Sequence, residues 1–440
     1  MNESTVVPRP QRAVSSERPG RLRIVIVGGG FAGIAAAKAL RTCEADVIVI
    51  DRRNHHIFQP LLYQVATSVL GSSDIAAPIR QLAARQKNVS VMLAEVVGVD
   101  VPSRFIDAEV PGLGLRKIPF DYLIIAAGNQ SSYFGHNEFA QYAPCLKTIT
   151  DAEKIRSKIL SAYELAETTD DADERQRLMT FVLVGAGPTG VELAASIAQM
   201  TTTTLRSNFR RIDPRETSIF LLDGAKRVLP TFSESSSEKA AKRLAKLGVK
   251  VITSAMVEHI DDRGVLVGGK RIESSTVLWT AGVSPSPLVK MLGVPTDRAG
   301  RACVGPYLSV PDADHVFAIG DTATLMQNGR PLPGVAQVAI QQGRYVGRLI
   351  AWAINGGVSP RPFRYFDKGN MAVIGKNFAI LEAGRIRLAG FTPWLVWAFI
   401  HLMFLPQLQN RRRVQNQWFW SYFTGQRGSR LVSETPRVGM

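Results

Sequence analysis

The 440-residue chain has little cysteine. Cys43, Cys145 and Cys303 stand far apart, and no C-x-x-C or C-x4-C pair occurs. That excludes a disulfide between sequence neighbours and argues against the stapled framework of a small secreted protein. The three thiols are expected to be small, buried or half-buried side chains. No grouping of Cys, His, Asp and Glu has the spacing of a metal site, so no metal is expected, and His55 and His56 read as loop or interface histidines. Residues 1–20 have no apolar core of the kind a secretory signal carries. Pro8, Pro10, Pro19, Glu3 and Glu17 disfavour an amphipathic transit helix there, so a disordered arm is expected. Acidic residues are the scarcer charge, 37 against 53 Lys and Arg, leaving a net +16. Eight Arg and a single Glu fall within 385–440, so much of the basicity sits at one end. A basic, aromatic end points to an anionic membrane surface and away from nucleic acid. The apolar run 393–405 has 13 residues, too few to span a bilayer, which takes about 20.

What the chain does have is glycine in two fingerprints. Gly28-Gly29-Gly30-Phe31-Ala32-Gly33 follows the apolar run 23–27, and Gly185-Ala186-Gly187-Pro188-Thr189-Gly190 follows the run 181–184. Each reads as strand, tight turn and helix N-terminus, where backbone N–H groups and the helix dipole meet a pyrophosphate. Each is followed by a second apolar run ending in an acid, 46–50 before Asp51 and 218–222 before Asp223. An acid there is placed to accept hydrogen bonds from an adenosine ribose. Two such units, in a chain long enough for two or three domains, imply two dinucleotides and electron transfer between them. The Asp223 carboxylate would repel a 2′-phosphate, which favours NADH over NADPH in the second unit.

Further runs set the domain order. Strands are expected over 89–93 and over 120–128, the latter ending in Ala126-Ala127-Gly128. A second unit opens near 147, passes through a helix and a charged loop at 167–177, and closes on the strand that ends at Gly282. The run 314–321 ends in Gly320-Asp321 and precedes an apolar-faced helix at about 334–354. The reading is an α/β protein with two Rossmann-like dinucleotide-binding domains, the second inserted in the first, and a C-terminal amphipathic membrane-association region. The boundaries are an arm at 1–20, the first domain over 21–146 and 286–360, the inserted domain over 147–285, and the C-terminal region over 361–440.

These features together resemble the two-dinucleotide-binding-domain flavoproteins, in which the first fingerprint holds FAD and the second NAD(P)H. Four segments sharpen the likeness: Asp51-Arg-Arg-Asn-His-His-Ile-Phe-Gln-Pro-Leu-Leu-Tyr-Gln-Val-Ala66, the run 185–194, Ala336-Gln337-x-Ala339-x-Gln341-Gln342-Gly343, and Phe363-x-Tyr-x-Asp-Lys-Gly369. They resemble the type II NADH:quinone oxidoreductases, and the resemblance covers about 21–425. Ile340 departs from the histidine that many relatives carry. The resemblance implies FAD and NADH as cofactors. It implies a cofactor-binding set of Gly28, Gly30, Phe31, Ala32, Gly33, Asp51, Arg52, Gln59, Ala127, Gly128, Gly185, Gly187, Pro188, Thr189, Gly190, Glu192, Asp223, Gly282, Gly320, Asp321, Ala336 and Gln337. Glu192 is implied to lie by the nicotinamide and flavin, with a role in positioning or proton transfer; in the first turn of its helix its carboxylate is expected to gain from the dipole. Gln337 and Gln341, four apart on one helix face, are implied by the isoalloxazine and the quinone. Lys368, in the Asp-Lys-Gly turn, is implied near the quinone or flavin.

Residues 391–423 hold ten of the chain's 34 aromatics, four of its six tryptophans among them, and flank Arg411-Arg412-Arg413. This suits an amphipathic helix lying in a membrane interface, with a homodimer as a compatible arrangement. Deletion of 391–440 is expected to release the chain from membranes with flavin binding kept. The implied activity is hydride transfer from NADH to FAD and two-electron reduction of a membrane quinone, ubiquinone or menaquinone, without proton pumping. The expected setting is the cytoplasmic face of a bacterial inner membrane, with the mitochondrial inner membrane as the alternative. Three rivals stand beside this reading. A soluble ferredoxin- or rubredoxin-type reductase leaves the aromatic, basic tail without a reason. A sulfide:quinone oxidoreductase needs reactive cysteines at the flavin, and the spacing for them is missing. A flavin-bound scaffold would not turn over NADH with a quinone.

Overall fold

The computed structural model describes residues 21–356, 358 and 360–432; the arm expected over 1–20 lies outside them. The elements that frame the sites are, in chain order, β1 (Leu22–Val27), α1 (Phe31–Ala39), β2 (Ala45–Asp51), α2 (Leu62–Ala66), β3 (Val89–Leu93), β4 (Tyr122–Ile125), α3 (Ile149–Thr168), β5 (Thr180–Val184), α4 (Pro188–Gln199), β6 (Ser218–Leu222), β7 (Val249–Ile252), β8 (Thr276–Trp279), β9 (Ser309–Val310), β10 (Ala313–Ala318), α5 (Ala336–Asn355), β11 (Asn370–Val373), α6 (Phe391–Phe404) and α7 (Leu408–Thr424). The chain divides into two units, one comprising 1–56, 77–130 and 283–367 and the other 57–76, 131–282 and 368–440.

In the first unit a six-stranded sheet has the order β9-β10-β4-β1-β2-β3. β1 lies parallel to β2 and β4, with Ile24 opposite Val47 and Tyr122. Ile24, Val25 and Ile26 are fully buried, as expected of a central parallel strand covered on both faces. One cover is the pair α1 and α5. Their contact is close because small residues meet: a Cβ on Gly347 would stand 2.6 Å from the Ala39 Cβ and 2.7 Å from the Ala36 carbonyl oxygen. The alanines of α1 and the glycines of α5 therefore set one helix–helix distance, and α5 carries its N-terminal residues wherever that distance puts them.

The second unit repeats the pattern with four parallel strands in the order β7-β6-β5-β8. In both sheets the strand that carries the fingerprint lies between the strand that ends in an acid and a crossing strand. The charged loop expected at 167–177 is absent. α3 runs on to Thr168, and a further helix, Ala172–Leu178, begins where the Asp171 side chain accepts from the Asp173 and Glu174 amides. The sequence signal of high charge is outweighed by an N-cap, which satisfies amides that a loop would leave to water.

Segment 57–76 and the C-terminal helices belong to this second unit. α6 is a 14-residue helix that buries Trp397 and Pro393, and α7 buries Asn410 and Val414. Asn410 donates to the carbonyls of Ser73, Asp74 and Ala76 at 2.9–3.1 Å. Trp418 Nε1 donates to Gln64 Oε1 at 2.7 Å, and His401 packs its ring on Phe58. Burial holds the His401 imidazole down near 4, so it is neutral. Deletion of 391–440 would therefore also strip partners from the buried segment 57–76, a cost that the sequence did not show. Among the described residues no helix is long and apolar enough to cross a membrane.

Gly347→Val tests the close helix pair. Overpacking there is expected to destabilise by about 1–3 kcal/mol, lowering the melting temperature by several degrees in a circular-dichroism melt. An unchanged melt would show that α1 and α5 have room to part.

Candidate active site

The two glycine turns match bond for bond. Gly28 and Gly185 share φ +107°, a conformation open to glycine and strained for other residues. The Gly28 amide donates to the Ile50 carbonyl and the Gly185 amide to the Leu222 carbonyl, each at 2.7 Å. A Cβ on Gly33 would overlap the Gly28 carbonyl oxygen, and one on Gly190 would overlap that of Gly185. Asp51 Oδ2 accepts from the Gly29 amide at 2.6 Å and Oδ1 from Arg53 N at 2.7 Å. Asp223 repeats this, accepting from the Ala186 amide and from Ala225 N. Each acid thus fixes its own turn, in addition to the ribose-facing position that the sequence implied for it.

Both turns fit a dinucleotide. No side chain caps α1 at Gly30 or α4 at Gly187, and neither helix has an acid in its first turn. A Cβ on Gly30 or Gly187 would meet nothing within 4 Å. The helix N-termini therefore offer uncapped amides to open space, as a pyrophosphate requires. His56, expected as a loop or interface histidine, is buried, donates from Nδ1 to the Gly29 carbonyl at 3.0 Å and packs edge-on to Phe31. Burial lowers its affinity for a proton, so it stays neutral in that role.

In the first unit the separate motifs converge. A Cβ on Gly320 would contact Ala32 at 3.5 Å and Ala339 at 3.4 Å, so the Gly-Asp turn sits between the starts of α1 and α5. Gln342, 1% exposed, accepts from the Gly320 amide at 2.6 Å through its Oε1. Asn129 donates to Asp321 Oδ2 at 2.6 Å, which ties the residue after Gly128 to the Gly-Asp turn. Gln342 and Asn129 were missed in the sequence. The doubled Gln341-Gln342 was the available signal, because adjacent helical residues face different ways. Ala336 and Gln337 open α5, half-buried and uncapped. Gln341 uses both ends of its amide on Phe366, donating to the carbonyl at 2.9 Å and accepting from the amide at 3.0 Å. It holds the 363–367 segment. Arg52 is exposed and pairs with Glu95 at 3.4 Å, a solvated pair of small worth.

In the second unit Glu192 is the fifth residue of α4, beyond the first turn where the sequence placed it. It is half-buried, and its Oε1 accepts from the Val373 amide at 3.3 Å. Burial pushes the carboxyl up to about 8, outweighing that hydrogen bond. The helix-dipole benefit expected for a carboxylate is overridden; at neutral pH this is a carboxylic acid able to give up a proton. Lys368 and Gln59 are exposed in this unit. Gly282, at φ +73°, leaves no space for a Cβ beside Phe134. Cys145 is half-buried in this unit, and in the other Cys43 is buried, with its thiol pushed up to about 11 by burial and by Glu44. No metal-ligating group of three occurs among the described residues.

A family model described as pyridine nucleotide-disulphide oxidoreductase matches residues 22–343. A curated relative from Mycobacterium tuberculosis, the type II NADH:quinone oxidoreductase NdhA, is 42% identical over 427 residues, covering 94% of this chain and 90% of the relative. The chain belongs to the type II NADH:quinone oxidoreductases. A second relative from the same organism, Ndh, is 40% identical over 97% of this chain and 93% of its own length. Among solved structures, NDH2 from Plasmodium falciparum in complex with NADH matches with a TM-score of 0.85 at 20% identity, covering 93% of this chain and 99% of that one. The sulfide:quinone oxidoreductase of Aquifex aeolicus matches at 0.69 and 17% identity, so fold alone does not choose between the two chemistries. The sequence relatives make the choice, since they are type II NADH:quinone oxidoreductases.

Two measurements test the site. Folding raises the proton affinity of Glu192, so its contribution to stability is fully present below the ordinary value of 4.5 and is lost as pH rises through about 8. Glu192→Gln should therefore gain stability relative to the parent chain between pH 5 and 9 in paired thermal melts; a constant difference would place no titration there. Asp223→Ala should narrow the preference for NADH over NADPH by about tenfold, read as the ratio of kcat/KM values. An unaltered ratio would leave Asp223 with its turn-holding role alone.

Proposed function

We propose that this chain is an FAD-dependent enzyme of the membrane surface that oxidises NADH and reduces a membrane quinone, without pumping protons. The observation that carries the reading is the pair of matching turns, each with an open, uncapped helix start and its own acid. FAD falls to the first unit, where Gly28, Gly30, Gly33, Asp51 and Asp321 surround the two converging helix starts. NADH falls to the second, at Gly185, Gly187, Gly190 and Asp223. When bound, FAD supplies the acceptor for a hydride from NADH and the donor of two electrons to the quinone.

The chain's own residues then have separable tasks. The amides at the two helix starts hold pyrophosphate charge. Asn129 and Gln342 fix the Gly-Asp turn, so Asp321 meets its ligand from one orientation. Gln337, at the uncapped start of α5, is assigned to the ligand, whereas Gln341 acts by holding 363–367. Glu192, an acid at neutral pH, is assigned to proton handling beside the nicotinamide site. Lys368 is assigned to the approach of the quinone, a role its exposure permits.

α6 and α7 expose Phe391, Leu395, Val396, Phe399, Met403, Phe404, Leu408, Phe419, Trp420 and Phe423. That is an apolar surface with no folding purpose, beside the Arg411–Arg413 cluster. We read it as a face that lies in the lipid interface, where each large side chain gains about 1.5–3 kcal/mol before ordering costs. NADH as the donor supports the cytoplasmic face as the setting. A second copy covering part of the same face is the competing occupant.

An anaerobic titration tests the activity: NADH should bleach the bound flavin, and menaquinone or ubiquinone should restore its colour. A colourless protein that takes up no FAD would end the reading. Phe399→Glu combined with Phe419→Glu should abolish flotation with anionic phosphatidylglycerol vesicles while the flavin spectrum is kept. Retained flotation, or loss of a dimer by light scattering in its place, would move the face from lipid to a second copy.

A further inference from the structure

After α7 the chain turns back into the second unit. The Thr204 hydroxyl donates to the Gly425 carbonyl at 2.9 Å, the Ser429 amide donates to the Ser68 carbonyl at 3.3 Å, and between them Arg427 is driven into the interior, 6% exposed. Its Nη1 donates to the Thr67 carbonyl at 2.7 Å and its Nη2 to the Ser196 carbonyl at 3.0 Å. The same two residues are joined through their side chains, Thr67 Oγ1 to Ser196 Oγ at 2.7 Å. Arg427 is in no ion pair among the described residues. A buried guanidinium held only by carbonyls is costly, and its position needs a reason beyond packing.

The spacing supplies one. Thr67 follows Tyr63 by four residues and Ser196 follows Glu192 by four, so each pair lies on one face of its helix. Thr67 N and Oγ1 both donate to the Tyr63 carbonyl, which extends the turn of α2 to Thr67. The bolt made by Arg427, Thr67 and Ser196 therefore lies one turn beyond the level of Tyr63 and Glu192. We propose that Arg427, returned by the C-terminal end of the chain, is a positioning residue for Glu192: it locks α2 against α4 and keeps a positive charge behind the Tyr63 hydroxyl. This rests on the reading of Glu192 as the proton-handling acid. The groups that bear on this place are the Val373 amide of β11, the Tyr63 hydroxyl of α2 and the Arg427 guanidinium. Gln64 Nε2 donates to the Tyr63 oxygen at 3.0 Å, so the Tyr63 proton is directed elsewhere. Burial and the Glu192 carboxylate both hold that proton on, while Arg427 opposes them. Tyr63 thus stands between the two charges, and the proposal requires that loss of the cation make ionising Glu192 harder and move its titration to higher pH.

The test uses full-length, flavin-loaded enzyme and steady-state NADH oxidation with a soluble quinone across pH. Arg427→Gln should lower kcat by about tenfold and move the alkaline limb of the kcat profile up by about one unit, with the NADH KM little changed. Arg427→Lys keeps the charge and should restore the position of the limb. Thr67→Val loosens the bolt with the charge kept, and should lower kcat with the limb in place. Should Arg427→Gln not accumulate as folded protein, Arg427→Lys and Thr67→Val carry the test, and wild-type kcat in both would overturn the proposal. A normal limb in Arg427→Gln would also overturn it, as would activity lost only in proportion to lost flavin. Glu192→Gln separates the two readings. If the limb survives in that variant, the Glu192 assignment falls and the proposal with it. If the limb vanishes there yet stays put in Arg427→Gln, only the Arg427 proposal falls.

Discussion

Close contact between the last glycine of each fingerprint and the carbonyl of the first governs both units. No side chain fits at Gly33 or Gly190, so each helix starts directly against its turn. That contact aims the helix N-terminus, and the acid at the end of the second strand then fixes the turn from the other side through an amide. Strand, turn, helix and acid form one closed circuit of short bonds. A dinucleotide meets amides that are already oriented, which reduces the ordering cost of binding. The two circuits share the same φ and the same bonds, although only the glycines and the acid are common to the two fingerprints. Geometry of this kind depends on a few small residues and leaves the rest of each segment free to diverge.

A second constraint is burial of ionisable groups. Glu192, His401 and Arg427 lie in one unit and are moved by burial in the direction of their neutral forms. For His401 the neutral form is also the packing form, since its ring lies against Phe58 and Trp397. For Glu192 the same shift makes a proton available near neutral pH. Arg427 keeps its charge throughout the physiological range, its guanidinium lowered only to about 9. Identical physics thus gives a structural histidine, a proton donor and a fixed cation, according to the ordinary value from which each starts.

Much of this was legible in the sequence. The strands before both fingerprints, the acids Asp51 and Asp223, the Gly320-Asp321 turn and the helix at 336–355 follow from apolar runs broken by glycine, a local signal. Errors arose where a local signal competed with another. Asp171 read as part of a charged loop and is a helix cap. Glu192 read as a dipole-stabilised carboxylate and is governed by burial, which depends on residues far away in the chain. Asn129 and Gln342 escaped notice, and His56 read only as a loop or interface histidine, because their work is done through hydrogen bonds to groups 22 to 192 residues distant. Nothing in a one-dimensional pattern marks such a partner. Arg427 was counted only as one more charge of a basic tail.

That last misreading bears on how the C-terminal end works. A membrane anchor in the simplest sense is separable from the body it anchors. Here the apolar side chains that face outward from α6 and α7 alternate with Trp397, Asn410, Val414 and Trp418, which are committed inward to segment 57–76 and its surroundings. One pair of helices therefore serves two surfaces at once. If that outward face lies in lipid as proposed, a substitution on it alters partition and leaves the interior packed, whereas a change on the inward face, or loss of the residues beyond Thr424, reaches Thr67 and Ser196 and through them α4. On the proposed reading, lipid contact and the setting of Glu192 are coupled through one pair of helices with different side chains on each face, and a truncation that removes both faces together cannot tell them apart.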